Sequence, residues 1–586
     1  MRAIVQLILT ACLIACACNR LHAQDNAAFV SCEVPTSLVT NQVFRVGITM
    51  RNTGTTTWGQ YAGQTPVTLV STSPDFNTTW GTYFIIQGQG STVAPGATFT
   101  FRSYLMAPDT PGDYTFSWRC QRWISGGGNV PPDLNQVPFI GAEAVGPVIH
   151  VTQRTEQRPS QPPHHEGLLD HTDLEYAGSF LVPGIAGEED VYTDSALTLR
   201  TNGATKQLLL WTGTYHSRLY EIAVPELVKI ANKDYSSVKT ASLVRDWGLL
   251  DYGTIGGEGI TATGGMYLDE STGILYWTHC NGYFTGGPSA FPQLLATQLA
   301  EDGTKSNIGY WYIPDTDTPY KGYWGGVTKL SQSFSSTYTG GRDLAMGFGG
   351  YYSICGTASR GPALGAIARP GASGGTLDLL VMMTYPDPIA CPREGNYFDN
   401  IGYWSTQPAN PWTGSWTGQD ECRAGVFIDL PDKKGYLAFA TQGVGRLGYD
   451  YGGYNTDGRY QQCWYFYDVH DLGEAALGQR SVSSLVPTSY DIIEYPLRAS
   501  AVTGACFDPE ERLLYLYVKR SLNNNRPIIH VYRITASSNQ APVLAPIGNR
   551  SVPAGQPLQI TVEGTDADGD EIQYSASGGE EARTAP

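Results

Sequence analysis

Apolar and polar residues alternate in short runs along most of the chain, and turn-forming residues separate these runs. Between residues 25 and 152 the runs include Val43–Ile48 and Thr98–Phe101. A period of two is typical of half-buried β-strands, and short strands bounded by turns favour a two-layer sandwich. We therefore expect residues 25–152 to form a β-sandwich.

A loose repeat occupies residues 173–535. Its unit is an apolar strand, a tight polar turn and a second apolar strand that runs into a longer loop. Copies lie at 196–211, 265–277, 426–439 and 504–516. Irregular β-repeats of this kind indicate a β-propeller, in which each blade is a four-stranded sheet. Six blades of about 60 residues fit the length best, and five or seven stay open.

The segment 174–182 is strand-like and precedes the first copy of the repeat. A propeller must fasten its first blade to its last, and a shared blade does so without leaving free strand edges. We expect residues 174–182 to pair with the blade at 504–534.

Composition agrees with an all-β protein that has long loops. The 586 residues include 68 Gly, 36 Pro and 36 Tyr, and only 16% are charged. This composition argues against a coiled coil, a helix bundle and a disordered chain. The net charge of −17 also argues against nucleic acid as a partner, since phosphate binding needs a basic surface.

Residues 1–23 have the pattern of a secretory signal peptide: a basic start, an apolar segment and a small residue before Gln24. Cleavage after Ala23 would release an unanchored protein. Alternatively, Leu13–Cys16 resembles a bacterial lipobox, which would leave a lipid anchor on Cys16. The apolar run is too short to be a transmembrane span. We therefore expect a secreted, periplasmic or cell-surface protein, with a lipoprotein as the alternative.

The chain has 11 cysteines, of which Cys12, Cys16 and Cys18 fall in the signal peptide, so eight remain. An even number in an exported protein suggests disulfides. Cys32 and Cys120 share the first domain, and we expect a bridge between them. The pairing of the other six stays open: Cys280, Cys355, Cys391, Cys422, Cys463 and Cys506.

The first domain carries motifs that point to a known family. In order, these are Asn52–Trp58, Trp80, Val93–Gly96, Ala107–Tyr114, Phe116–Arg119 and Trp123. Together they resemble the four-tryptophan immunoglobulin-like domain. The resemblance implies an accessory or protein-interaction module, and we expect most of the tryptophans to pack in its core. The repeat region resembles the propellers of secreted bacterial proteins in general, without a characterised family.

A Pro-containing linker is expected at 153–172. After the repeats, residues 541–578 resemble cadherin-like or immunoglobulin-like domains of bacterial surface proteins. Asp566, Asp568 and Asp570 could give oxygen ligands to calcium, the one cofactor that the sequence suggests; a solvated acidic turn is the alternative.

This last domain, at 541–586, is only about half the length of such a sandwich. Its apolar residues alternate as if for a core that the remaining residues do not supply: Leu558, Ile560, Val562, Ile572 and Tyr574. We expect a coding sequence that is truncated or frame-shifted near Gly579, and a loosely held segment. The alternative is that the segment pairs with another domain or chain.

If the short turns of the repeat lie on one face of the propeller, the long loops gather on the other. Polar residues at the ends of the second strands would then converge there, and such convergence is typical of ligand sites. We expect this face to bind a glycan or a surface protein through Gln442, Tyr449, Tyr451, Tyr454 and Arg520. Tyrosines among small polar residues suit stacking on sugars or contact with a protein.

The alternative function is a carbohydrate-active lyase or hydrolase on the same face. His216 or His279 would act as general base or acid, with Glu258 or Arg342 as its charge partner. This reading requires these groups to lie within hydrogen-bonding reach of one substrate.

Overall fold

The protein is all-β: in the described residues, the structure, a computed structural model, contains 32 strands and two α-helices. It describes residues 25–40, 42–59, 67–87, 91–122, 138–153, 167–184, 195–202, 205–212, 218–230, 236–250, 262–280, 292–314, 320–350, 363–370, 374–384, 420–444, 448–450, 453–455, 459–492, 501–519, 527–536, 543–548, 550–553, 555–557, 560–565, 572 and 574. The predicted signal peptide, including Cys16, lies outside these ranges.

Residues 27–152 form two sheets. The strands are β1 (Ala27–Glu33), β2 (Ser37–Val39), β3 (Val43–Asn52), β4 (Val67–Ser71), β5 (Phe84–Ile86), β6 (Thr98–Met106), β7 (Gly112–Arg122) and β8 (Phe139–Thr152). One sheet has the order β1-β3-β6 and the other the order β2-β8-β7-β4-β5. A single hydrophobic core contains residues of both sheets.

The tryptophans of this domain are core residues. Trp58, Trp80 and Trp118 are each at most 2% exposed, which confirms the expectation that they pack inside. The ring of Trp80 meets those of Phe44 and Phe116 edge-on, with centroids 5.8 and 5.3 Å apart. Burial of aromatic rings in such contacts supplies much of the stability of a small β-sandwich. Trp123 lies outside the described residues.

The repeat region contains five four-stranded antiparallel sheets, which we number in chain order. A 3₁₀ turn (His171–Asp173) and β9 (Leu174–Leu181) precede them. The first sheet is β10 (Ser195–Asn202), β11 (Thr205–Thr212), β12 (Arg218–Ala223) and β13 (Ser242–Leu249); the second is β14 (Ala262–Asp269), β15 (Ile274–Cys280), β16 (Leu294–Leu299) and β17 (Lys305–Trp311).

A second 3₁₀ turn (Tyr320–Tyr323) leads into the third sheet, which is β18 (Gly326–Lys329), β19 (Leu344–Gly347), β20 (Ala363–Ile367) and β21 (Leu379–Thr384). Helix α1 (Gln332–Tyr338) lies between β18 and β19, and Ser331 caps it by accepting a hydrogen bond from the Phe334 N–H at 3.1 Å. The fourth sheet contains β22 (Glu421–Asp429), β23 (Lys434–Val444), β26 (Arg459–Tyr467) and β27 (Ser489–Ile492). A small hairpin of β24 (Gly448–Asp450) and β25 (Gly453–Asn455) lies between β23 and β26 in the chain. Helix α2 (Val469–Ala476) lies between β26 and β27.

The fifth sheet joins the two ends of the repeat region. It consists of β28 (Ala501–Asp508), β29 (Leu513–Lys519), β30 (Ile528–Ile534) and the early strand β9, which pairs antiparallel with β30 from Ile528↔Leu181 to Ile534↔Leu174. This pairing confirms the predicted closure by residues 174–182. The outer edge of β9 is covered in turn, because Ser179 exchanges hydrogen bonds with Val228 and Leu181 with Lys239 and Ala241.

The first strand of each sheet, which we call its inner strand, contacts the inner strands of its two neighbours. These contacts run in order through β10, β14, β18, β22 and β28 and return to β10. We call this assembly the five-sheet ring. Among the described residues, five sheets complete the cycle, whereas six was the number that the sequence favoured and five an alternative that it left open.

Small residues allow the inner strands to approach so closely. A Cβ atom on Gly265 would lie 2.2 Å from the Val327 nitrogen, and one on Gly326 would lie 2.5 Å from the Gly425 oxygen. A Cβ atom on Gly504 would similarly lie 2.5 Å from the Ser195 oxygen. Contacts below 3.0 Å are sterically impossible for a side chain, so backbone packs against backbone around the axis.

At the end of the ring where the inner strands finish, one polar link joins each pair of adjacent sheets. The Thr201 N–H donates to Glu270; Arg369 donates to Asp269; Ser331 donates to Asp429; Arg512 binds Asp432 through two hydrogen bonds of 2.7 and 3.0 Å; and Lys206 lies 3.1 Å from Asp508. Bidentate arginine pairs and charge-assisted bonds are the stronger hydrogen bonds of proteins. These five links fix each sheet to the next.

The predicted bridge between Cys32 and Cys120 is not formed, and both residues are free thiols. Cys32 on β1 lies beside Gly146 and Phe116. Cys120 lies four residues further along β7 than Phe116, between Leu69 and Ile140. Four residues of β-strand span roughly 13 Å, far beyond the Cβ–Cβ distance of a disulfide. Cys422 and Cys506 are also free thiols, and both are buried, as is Cys463.

In the C-terminal segment, the described part is a pair of two-residue strands, β31 (Val543–Leu544) and β32 (Gly564–Thr565). Its large apolar side chains are exposed, by 38% to 67%: Val543, Leu544, Ile547, Val552, Ile560, Val562 and Tyr574. These residues therefore have no core of their own. Asp566, Asp568 and Asp570, the predicted calcium ligands, lie outside the described residues, as does Gly579.

Candidate functional site: the long-loop end of the ring

The C-terminal ends of the five inner strands line one cavity. These strands therefore all run in the same direction along the axis. The connection between the first and second strands of each sheet therefore lies at that end, which we call the short-turn end. The opposite end, where the inner strands begin and the second strands finish, is the long-loop end. Four of the five sheets have the predicted short turn at the short-turn end, whereas in the third sheet helix α1 lies in the connection between β18 and β19.

A layer of buried polar side chains lies at the long-loop end. Its members come from the first, second, fourth and fifth sheets and are at most 6% exposed: Ser195, Thr263, Thr278, His279, Asp420, Arg423, Thr441, Gln462 and Thr503. We call this set the polar layer. Further along the same inner strands many of the buried residues are aliphatic, such as Leu197, Met266 and Val426, and the buried polar residues there are Thr198, Asp269 and Asp508. The polar layer therefore gathers buried polar residues of four sheets at the long-loop end.

Arg423 is the buried cation of the polar layer. It is the third residue of β22 and is only 4% exposed. Its Nη2 lies 3.6 Å from Oε2 of Glu421 at the start of the same strand, and Asp420 immediately before that strand is fully buried. Charged groups are rarely buried in proteins unless they are paired or bind something. A guanidinium and two carboxylates are thus grouped at the beginning of this inner strand.

Hydroxyl groups of the polar layer connect neighbouring sheets. Thr278 Oγ1 lies 2.7 Å from the Trp324 oxygen and 2.9 Å from the Gly325 oxygen of the third sheet, and it accepts from the Gly265 N–H. Thr503 accepts from the Ser195 N–H at 3.1 Å. These two threonines therefore connect neighbouring inner strands, β28 with β10 and β14 with the residues just before β18.

His279, a predicted acid–base residue, lies in the polar layer, where it pairs in register with Thr263. Burial lowers the pKa of its imidazole to about 4, so the ring is neutral at neutral pH. Its centroid lies 5.9 Å from that of Trp277. A neutral, enclosed imidazole beside an indole is suited to packing and hydrogen bonding rather than to proton transfer with a substrate.

Arg342, the predicted charge partner of such a histidine, is at the other end of the ring. It follows α1 in the connection between β18 and β19, where it donates to the Thr339 oxygen and to Asp378. The structure therefore separates His279 from Arg342. His216 and Glu258, the other two predicted catalytic residues, lie outside the described residues.

Part of the predicted ligand-binding set lies near the polar layer. Gln442 follows Thr441 on β23 and pairs in register with Gln461. The hairpin of β24 and β25 pairs Tyr449 with Tyr454 and connects β23 to β26 at the long-loop end. Tyr451 and Arg520 lie outside the described residues.

Arg423, Asp420 and Gln462 were not among the residues predicted from the sequence. Their signal is faint, because each is an isolated polar residue at the edge of an apolar strand. One shared sequence feature could have located the long-loop end. The inner strands of the second to fifth sheets each have a glycine at or near their start, at Gly264–Gly265, Gly325–Gly326, Gly425 and Gly504. Polar residues just before or beside those glycines would then have been candidates.

No protein-family model matches the chain, and no curated protein matches its sequence. The four-tryptophan, propeller and cadherin-like resemblances therefore stay predictions. Among the helices within the described ranges, none combines the length and apolarity needed to cross a membrane.

Proposed function

We propose that this chain is an exported modular protein in which the five-sheet ring is a β-propeller that binds a glycan at its long-loop end. The polar layer is the observation that carries the proposal. Burying nine polar side chains at one end of a ring costs stability unless their hydrogen bonds are used. The short-turn end also buries polar groups, such as Asp269 and Asp508, but these pair with cations of neighbouring sheets. We therefore take the polar layer, with its buried guanidinium, as the support for a ligand at the long-loop end.

The chemistry of the polar layer favours a ligand rich in hydroxyl groups. Arg423, Asp420, Gln462 and the threonines offer both donors and acceptors, and each sugar hydroxyl can donate and accept. The tyrosines of the β24–β25 hairpin belong to the same end of the ring, where aromatic residues would stack on the apolar faces of a sugar. Export is supported by the signal-peptide pattern of residues 1–23.

A polysaccharide array, run beside a protein array, tests the proposal with the whole mature chain. We expect retention of at least one polysaccharide. In Arg423→Lys the charge stays but the planar fork is lost, so we expect the Kd for that glycan to rise about tenfold. Arg512→Lys is the matched control, because Arg512 lies at the short-turn end, and it should bind as the wild type does.

Two results would contradict this function. One is retention on the protein array alone, which would make the ligand a surface protein. The other is equal glycan affinity in Arg423→Lys and the wild type, with both proteins folded by circular dichroism. Release of reducing sugar or an unsaturated product from the retained glycan would instead assign the alternative, a hydrolase or lyase.

A further inference from the structure

The short-turn end of the ring holds a cavity that the proposed glycan site does not involve. Its volume is about 620 Å³, and the C-terminal ends of all five inner strands line it. Cavities of about 300–1,000 Å³ are the usual size for sites that take small ligands. Because every sheet contributes to its wall, the cavity lies on the axis of the ring.

Part of the cavity wall is apolar. Met266, Leu268, Val327 and Val426 come from three inner strands and line it together. Two half-buried aromatic residues, Tyr267 and Phe507, line it as well. A hydrocarbon chain of a few carbon atoms would be desolvated favourably against this surface.

Charged residues also line the cavity, and carboxylates outnumber cations. Five carboxylates and three cations belong to the wall: Asp269, Glu270, Asp429, Asp508 and Glu510 against Lys206, Lys329 and Arg369. The nearest partners outside the wall, Asp343 beside Arg369 and Lys434 beside Asp429, cancel and leave the excess at two negative charges. The cavity therefore has two more carboxylates than cations whether or not these outside partners are counted.

The excess arises because two cations are each held between two carboxylates. Lys206 lies 3.1 Å from Asp508 and 2.7 Å from Glu510, while Arg369 contacts both Asp269 and Asp343. Burial opposes the charge on Lys206, but hydrogen bonds to Glu510 and Asp508 outweigh it and raise the pKa of its ammonium group. Hydrogen bonding to Lys206 lowers the pKa of Glu510. Glu510 therefore stays ionised at neutral pH.

We propose that this cavity binds an ammonium or guanidinium group carried on an apolar stem. The stem would lie against the aliphatic wall, and the cation would lie between exposed carboxylates such as Glu270 and Glu510. This chemistry is shared by free alkylamines and by lysine or arginine side chains of a peptide. The inter-sheet links of this end serve stability as well, so the test must separate binding from folding.

The probes are n-butylammonium and the peptide acetyl-Gly-Lys-Gly-amide, with n-butyrate as the anionic control, all titrated by calorimetry. We expect both cations to bind and butyrate not to bind. In Glu510→Gln the Kd should rise about three- to fivefold, as for an exposed charge contact. Glu511→Gln is the matched control, since Glu511 is the adjacent exposed carboxylate outside the cavity wall.

A second pair of variants tests the cavity itself. Gln332 is exposed and lines the cavity, whereas Ser336 is exposed one turn later on α1 and does not. Gln332→Trp should reduce cation binding more than tenfold by filling the space, and Ser336→Trp should leave it unchanged.

The outcomes are distinct. Tighter binding of the peptide than of butylammonium would identify a peptide as the source of the cation, and the reverse would identify a free amine. Failure of both cations to bind at 10 mM, or equal losses in Gln332→Trp and Ser336→Trp, would overturn the proposal. Glycan binding by Gln332→Trp should equal that of the wild type, so this inference and the proposed function can fail separately.

Discussion

At the scale of single residues, the ring contains buried histidines that the environment keeps neutral. His530 on β30 is fully buried, and its Nδ1 lies 2.6 Å from Ser179 Oγ, which in turn lies 2.6 Å from the Tyr176 hydroxyl. Burial lowers the pKa of His530 to about 3 and that of His279 to about 4. His530 lies on β30, which pairs with β9 to close the ring. Protonation of His530 would therefore act at the strand pair that closes the ring.

This environment predicts a loss of stability in mild acid. In the unfolded chain these histidines have the ordinary pKa of about 6.5, so below that pH the unfolded state binds protons that the folded state does not. Stability should be level above pH 6.5 and fall as the pH decreases towards 4, with His530 contributing about 3 kcal/mol by pH 4. The midpoint of urea unfolding, measured from pH 7 to pH 4, checks this.

The variant His530→Asn isolates the effect of this histidine. An amide can still hydrogen-bond to Ser179 but does not titrate, so the variant should lose less stability than the wild type over that pH interval. His150→Asn is the control, because His150 is an exposed histidine of the first domain. A wild-type midpoint that does not change between pH 7 and pH 4 would refute the argument.

At the scale of elements, the inner strands depend on residues that have no side chain. Gly265, Gly326 and Gly504 each bring backbone within a distance that a Cβ atom would occupy. Threonines bind across the same contacts, as Thr278 does to the third sheet. The ring is therefore held at its axis by backbone packing and hydroxyl groups rather than by large apolar side chains.

Adding one methyl group at such a position should disrupt the ring. In Gly265→Ala the new Cβ would meet the Val327 nitrogen at 2.2 Å, so β14 or β18 must move. We expect a loss of about 2–3 kcal/mol in the free energy of unfolding, as for overpacked cores. Gly184→Ala, where nothing lies within 4 Å, is the control and should change stability by only a few tenths of a kcal/mol. Equal unfolding midpoints for the two variants would contradict the packing argument.

The hairpins that open four of the five sheets were predictable from the sequence, because alternating apolar residues flank a polar turn in each. The third sheet was not, since β18 and β19 have only four residues each and α1 replaces the tight turn between them. This irregular third sheet is one reason why dividing residues 173–535 into blades of about 60 residues predicted six blades, not five. The closing strand was predictable because an unpaired strand edge has to be covered. The polar layer was not, because its members become neighbours only when the ring forms.

At the scale of the whole molecule, the two ends of the ring use polar residues differently. The short-turn end pairs its charges into links between sheets and keeps a small excess of carboxylates around a cavity. The long-loop end buries a layer of uncharged and charged groups that includes Arg423. The first domain and the C-terminal segment add further surfaces, and the apolar side chains of the latter are exposed. We propose that the glycan binds at the long-loop end.

Amide hydrogen exchange of the full chain, with and without the glycan retained on the array, tests that assignment most directly. The account predicts that saturating glycan slows exchange in peptides covering residues 420–423, 441–444, 459–463 and 501–503. Exchange should be unchanged in the short-turn peptides 269–273 and 508–512. Slower exchange confined to those short-turn peptides, or no difference in any ring peptide at saturation, would contradict the central claim.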